Sequence, residues 1–107
     1  MGAPLGVPLE SKLMDVVGRE VPEAFKSNYP DVRNQVDAWL QEAIEATWKT
    51  FNELKERYPS SSILSDNRVV FNLKGNKYRL LTRVACKTGK VIVLRAGSHE
   101  DYDHWNL

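Results

Sequence analysis

Cysteine is almost missing from this chain. Cys86 is the only one in 107 residues, which excludes an internal disulfide and suits a reducing cytoplasm. Histidine is nearly as scarce, with His99 and His104 alone, and no Cys/His cluster exists to build a structural zinc site. No apolar run approaches the roughly 18 residues of a membrane span, and the opening stretch lacks the apolar core of a secretory signal. Phosphate-binding glycine motifs are absent, so nothing points to a bound nucleotide cofactor. The expectation is therefore a cytoplasmic protein with no metal, no cofactor and no membrane partner. What is present, 42% apolar and 27% charged residues, describes a soluble globular domain long enough to bury its own core.

The most telling absence is local. Between residues 68 and 98 there is no acidic side chain, while Arg68, Lys74, Lys77, Arg79, Arg83, Lys87, Lys90 and Arg95 supply eight positive charges. Residues 1–67 carry 7 basic and 11 acidic groups, so the net charge of +1 conceals a strongly polar distribution. A basic block attracts polyanions whatever the overall balance. A basic sheet edge that blocks unwanted strand pairing gives the same pattern.

Residues 1–13 contain two glycines and two prolines without periodicity. They are expected to be a disordered extension or cloning remnant, with the single domain over 14–107. A short strand is expected around Val16 and Val17. Pro22 suits the first turn of a helix running to about Asn28, since its missing N–H would be unpaired there anyway. Pro30 stops that helix, and Asp31 is the expected N-cap of the next. Val36, Trp39, Leu40, Ala43, Ile44 and Thr47 then form a helical stripe. Thr50 and Glu53 have the spacing of a capping box for a short third helix to about Arg57.

After Asp66 the period changes to two. Val69, Phe71 and Leu73 share one face of a strand. Gly75-Asn76 marks a hairpin turn. Tyr78, Leu80, Thr82 and Val84 then alternate with Arg79, Leu81 and Arg83, and Thr88-Gly89 marks a second turn. In the third strand Val91, Val93 and Arg95 alternate with Ile92, Leu94 and Ala96. The predicted fold is α+β: N-terminal helices packed on one face of a small antiparallel sheet whose C-terminal part, 68–96, is a three-strand meander. The other face, with Arg79 and Arg83, is expected to be free.

Gly97 is expected to end the last strand and Ser98 to cap a short helical turn, which puts His99 and Tyr102 on one side. Each taken alone reads as a surface or core residue. Together with the basic sheet they supply what metal-free RNA cleavage needs: a base for the 2′-hydroxyl, cations on the phosphate and an acid for the leaving oxygen. His104 and Trp105 read as packing residues.

The run Asp66-Asn67-Arg68-Val69-Val70-Phe71-Asn72-Leu73-Lys74-Gly75-Asn76-Lys77-Tyr78-Arg79-Leu80 resembles the signature of the HigB family of bacterial toxins. Gly97-Ser98-His99-Glu100-Asp101-Tyr102-Asp103 is similar to that family's closing motif, with Ser98 in place of the usual Thr. Ala46–Thr50 and Lys55–Pro59 are similar too, so the likeness spans about 14–103. The resemblance implies a RelE-like toxin that cleaves mRNA on the translating ribosome. It also implies a hetero-oligomeric complex with a silencing antitoxin, a HigA-like helix-turn-helix protein. It places Asn72, Asn76 and Arg79 in the strand–turn–strand motif and His99 and Tyr102 in the closing one. Arg79, His99 and Tyr102 are then the expected catalytic group, with Arg79 on the scissile phosphate and either His99 or Tyr102 as base. Lys74, Lys77, Arg83 and Arg95 are expected on flanking phosphates. Asn76 is expected at a base edge or, preferably, as a turn former. The alternative is a non-catalytic RNA- or ribosome-binding module derived from such a toxin.

Overall fold

The computed structural model describes residues 14–107; the expected extension 1–13 lies outside the described residues. Chain order is β1 (Asp15–Val17), α1 (Glu20–Asn28), a 3-10 turn (Pro30–Val32), α2 (Arg33–Glu45) and α3 (Phe51–Arg57), followed by β2 (Ser62–Ile63), β3 (Arg68–Leu73), β4 (Tyr78–Ala85), β5 (Lys90–Ser98) and α4 (His99–Asp103). The protein is α+β, with one five-stranded mixed sheet in the order β1-β5-β4-β3-β2. Among the described strands only the β1–β5 pair is parallel. The meander of β3, β4 and β5 is present as expected.

One sheet face meets the helices, for a simple reason of pattern. Val69, Phe71 and Leu73 of β3, Tyr78, Leu80 and Val84 of β4, and Val91 and Val93 of β5 alternate onto that face and are buried there. Val36, Trp39 and Ala43 of α2 and Leu54 of α3 fill the other side of the same core. Phe71 is fully buried and touches three aromatic rings, those of Trp39, Trp48 and Tyr58, with centroids at 5.3, 6.2 and 5.1 Å. Leu40, expected in the core, is only half-buried, and α2 ends at Glu45, short of Thr47.

Several local expectations are corrected. Asp31 caps nothing: the N-cap of α2 is Val32, without a side-chain cap. The Asp31 carboxylate instead accepts the Tyr78 hydroxyl at 2.8 Å, because a buried phenol needs a polar partner. The capping box of α3 is shifted by one residue. Thr50 Oγ1 accepts the Glu53 N–H at 3.1 Å, but Glu53 reaches back to the Lys49 N–H at 2.9 Å. The two-residue edge strand β2, paired with β3, is a further addition to the expected elements.

The correction with most consequence is in β5. Leu81 pairs with Arg95 but Thr82 pairs with Val93, so Leu94 is an extra residue in a bulge. Alternation therefore flips at Leu94. Val91 and Val93 face the core, whereas Arg95 joins Leu81 and Arg79 on the outer face, opposite to its expected side. The strand continues to Ser98, so Gly97 does not end it.

The outer face is only partly free. Val70 and Leu81 point outward yet are only 1% and 5% exposed. The chain after α4 returns over this face. Trp105 lies against Gly97, and Arg68 Nη2 donates to the Leu107 carbonyl at 3.3 Å.

Candidate functional site

Register brings Gly97, Arg79 and Asn72 into one row across β5, β4 and β3 at the end of the sheet next to α4. The β3–β4 turn closes through a Lys77 N–H to Lys74 carbonyl bond at 3.2 Å, with Gly75 at a positive φ of 66° that a glycine adopts without strain. His99 N–H then donates to the Lys77 carbonyl at 2.8 Å, which ties the start of α4 to that turn. A full capping box, Ser98 with Asp101, fixes the first turn of α4.

These constraints place Arg79, His99 and Tyr102 in contact. Arg79 Nη1 donates to the Asn76 carbonyl at 2.7 Å, and Nη2 lies 3.0 Å from His99 Nδ1. The guanidinium carbon sits 5.0 Å from the centre of the Tyr102 ring. Since a guanidinium only donates, His99 Nδ1 is the acceptor and the neutral ring carries its proton on Nε2. That nitrogen is 3.6 Å from Asp103 Oδ2, one turn further along the helix.

The electrostatics of Arg79 are unusual. It is only 8% exposed, yet among the described residues no carboxylate lies within 4.0 Å of it. Buried charges are normally paired. Here a carbonyl, an imidazole lone pair and an aromatic face stand in for the missing anion. The arrangement is suited to receive one.

The remaining expected residues are divided by the structure. Asn76 contributes its backbone carbonyl to Arg79, in keeping with the turn role. Lys74 and Lys77 reach to the helical side, where both meet Asp31 Oδ2 at 3.5 and 3.0 Å. Hydrogen bonds from Lys77 and Tyr78, in that order, hold the Asp31 carboxyl down at about 2, and Asp31 raises Lys77 in return. Neither lysine is brought into the Arg79 cluster. Arg95 lies on the outer face over the Trp105 ring at 5.2 Å, and Trp105 meets Tyr102 edge-on at 5.6 Å. Arg83 is on the same face but two rows from Arg79, its Nε bonded to the Asp66 carbonyl at 3.1 Å. Asn72 is spent on the loop before β2, donating to the Ser60 carbonyl at 2.7 Å.

Two participants were not anticipated. Asp103 stands four residues after His99, a helical spacing that was legible. Arg68 faces Arg83 directly across the β3–β4 ladder, which only the register reveals. Among the described residues no group of three or more His, Cys, Asp or Glu side chains converges as a metal ion would require. An open groove on the helical side, about 430 Å³, is lined by Glu42, Glu45, Glu53, Arg57 and Trp48 and is remote in character from the cationic face.

Fold and site together define a small α+β protein whose sheet ends in a cationic Arg–His–Tyr cluster closed by a C-terminal helix. The chain belongs to the HigB toxin family, whose model, a RelE-like toxic component of a toxin-antitoxin system, matches residues 32–105. No curated protein matches the chain. Membership makes this chain the toxic half of a two-protein system, with an antitoxin as its partner. Among the described residues no helix is long and apolar enough to cross a membrane.

Proposed function

We propose that the chain is an endoribonuclease that cuts mRNA on the translating ribosome in the cytoplasm, and that a HigA-like helix-turn-helix antitoxin silences it. The observation that carries the reading is the nearly buried Arg79 guanidinium, which has no Asp or Glu carboxylate within 4.0 Å among the described residues and is held between His99 Nδ1 and the Tyr102 ring.

The scissile phosphate supplies the missing anion. Arg79 turns its donors from His99 to the non-bridging phosphate oxygens, which it can grip bidentately. That movement frees the lone pair on His99 Nδ1, and His99 becomes the base at the moment substrate arrives. His99 takes the 2′-hydroxyl proton, the 2′-oxygen bonds to phosphorus, and the bond from phosphorus to the 5′-oxygen breaks. Tyr102 donates a proton to that oxygen. The products are a 2′,3′-cyclic phosphate and a 5′-hydroxyl. Asp103 Oδ2 stands 3.6 Å from Nε2, on the side of the ring away from Arg79. Arg95, on the Trp105 ring, serves the neighbouring phosphate, and the positive charge of Arg83, Lys74 and Lys77 adds longer-range attraction for the polyanion. Asn76 shapes the turn that carries Arg79.

The test is induced expression of residues 14–107 in a bacterium with Arg79→Ala, His99→Ala and Tyr102→Phe alongside. Growth arrest with new mRNA 5′ ends, lost in all three variants, is the expected result. Arrest without new ends identifies a non-catalytic ribosome binder instead.

A further inference from the structure

On the outer face, beyond the row of Leu81 and Arg95, register aligns Val17, Ile92, Arg83 and Arg68 across β1, β5, β4 and β3. The bulge adds Leu94 to the same side, since it comes directly after core-facing Val93. Val17 and Leu94 are 42% and 39% exposed, and Ile92 is half-buried. The strip is thus aliphatic at its β1–β5 end and cationic at its β4–β3 end.

The cationic end is unfavourable as it stands. Arg68 and Arg83 are directly opposed, and like charges in that position destabilise a ladder. Among the described residues neither has an Asp or Glu side chain within 4.0 Å. Arg68 donates to the Ser65 carbonyl at 3.0 Å, the Ser65 hydroxyl at 3.1 Å and the Leu107 oxygen at 3.3 Å, and Arg83 donates to the Asp66 carbonyl at 3.1 Å.

We propose that this strip is the antitoxin's docking surface, and that it takes a polypeptide segment with apolar side chains at one end and carboxylates at the other. The proposal rests on the toxin reading in that the family supplies the partner. RNA suits the two arginines but not Val17, Ile92 and Leu94, which offer no aromatic face for a base to stack on. Carboxylates opposite Arg68 and Arg83 speed association and set the register, while the aliphatic contacts hold the complex. The strip is separated from Arg79 by the buried row of Val70 and Leu81, so a bound segment needs no contact with the catalytic group to reach high affinity.

The test uses the full chain and the small helix-turn-helix protein encoded beside it. Affinity is measured by calorimetry in a His99→Ala background, which removes toxicity from the measurement. Val17→Asp, Leu94→Asp and Arg68→Glu are compared, with thermal melts confirming that each is folded. Each is expected to weaken binding about a hundredfold, the scale of a central interface residue. In the active background Val17→Asp and Leu94→Asp are expected to stay toxic while the antitoxin no longer rescues growth. Unchanged affinity in Val17→Asp and Leu94→Asp overturns the proposal. Folded variants that lose toxicity but keep the antitoxin overturn it too, and assign the strip to RNA or the ribosome. If the unmodified chain proves harmless, the enzyme reading fails, and the calorimetry still decides the docking surface.

Discussion

Adding one methyl group at Gly97 should disable the protein without touching a reacting atom. Gly97 occupies the row of Arg79, and its φ lies outside the left-handed region, so an alanine is tolerated by the backbone. Space is what it lacks. A Cβ there would lie 2.8 Å from a Trp105 ring carbon and 2.9 Å from Asp101 Cβ. Carbon atoms pack at about 3.5–4.0 Å, so roughly 1 Å of movement is required. Gly97 is held by its pairing with Arg79 of β4, whereas α4 is a five-residue helix without a fully buried residue, so α4 is what moves. That displaces His99 and Tyr102 from Arg79, and a misplacement of about 1 Å at a reacting centre is worth roughly a hundredfold in rate. The thermodynamic cost is smaller, about 1–3 kcal/mol for local overpacking. Gly97→Ala should therefore remain folded by circular dichroism, show altered tryptophan fluorescence, and cleave RNA about a hundredfold more slowly. Full cleavage with unchanged fluorescence would mean that α4 is not held against the sheet as described.

The geometry sets three further outcomes. Arg79→Ala should lose about a hundredfold in cleavage, near 3 kcal/mol of transition-state stabilisation, and Arg79→Lys should not restore it because an ammonium cannot grip two oxygens in a plane. Phe71→Ala should lower stability by about 3–5 kcal/mol, since Phe71 is fully buried among three rings; an unchanged melting temperature would contradict the packing. Asp31 has a depressed carboxyl, so its contribution is present above the ordinary carboxylate range and is lost as pH falls through about 2. Asp31→Asn should flatten the acid limb of the stability curve, and should lower the Tyr78 titration midpoint in an ultraviolet titration, where Asp31 adds to the upward push of burial.

Period and punctuation made most of the fold legible. Prolines at 22, 30 and 59 bracket the helices, and the change to alternation after Asp66 announces the meander. The charge asymmetry and the Ser98 cap brought His99 and Tyr102 beside a basic sheet under suspicion, the family resemblance singled out Arg79 among its cations, and the structure puts the three within contact. The bulge at Leu94 was not legible, because a single extra residue leaves the apolar pattern of Val91 and Val93 intact while it reverses the facing of Arg95. The side to which a long cation reaches was hidden as well. Lys74 and Lys77 pair with Asp31, more than 40 positions earlier in the chain, and no local pattern announces that pairing. Two residues make β2 too short for any periodicity, and the tail's return over the outer face depends on Gly97 leaving room for Trp105.

The central claim is that Arg79 and His99 together cleave RNA through the 2′-hydroxyl. The most direct measurement is end-group chemistry on RNA recovered after brief induction of residues 14–107, in parallel with His99→Ala. The account predicts new fragments that end in 2′,3′-cyclic phosphate and begin with 5′-hydroxyl, present with the unaltered chain and absent with His99→Ala. Fragments that begin with 5′-phosphate, or cyclic-phosphate ends that persist undiminished without His99, would contradict it.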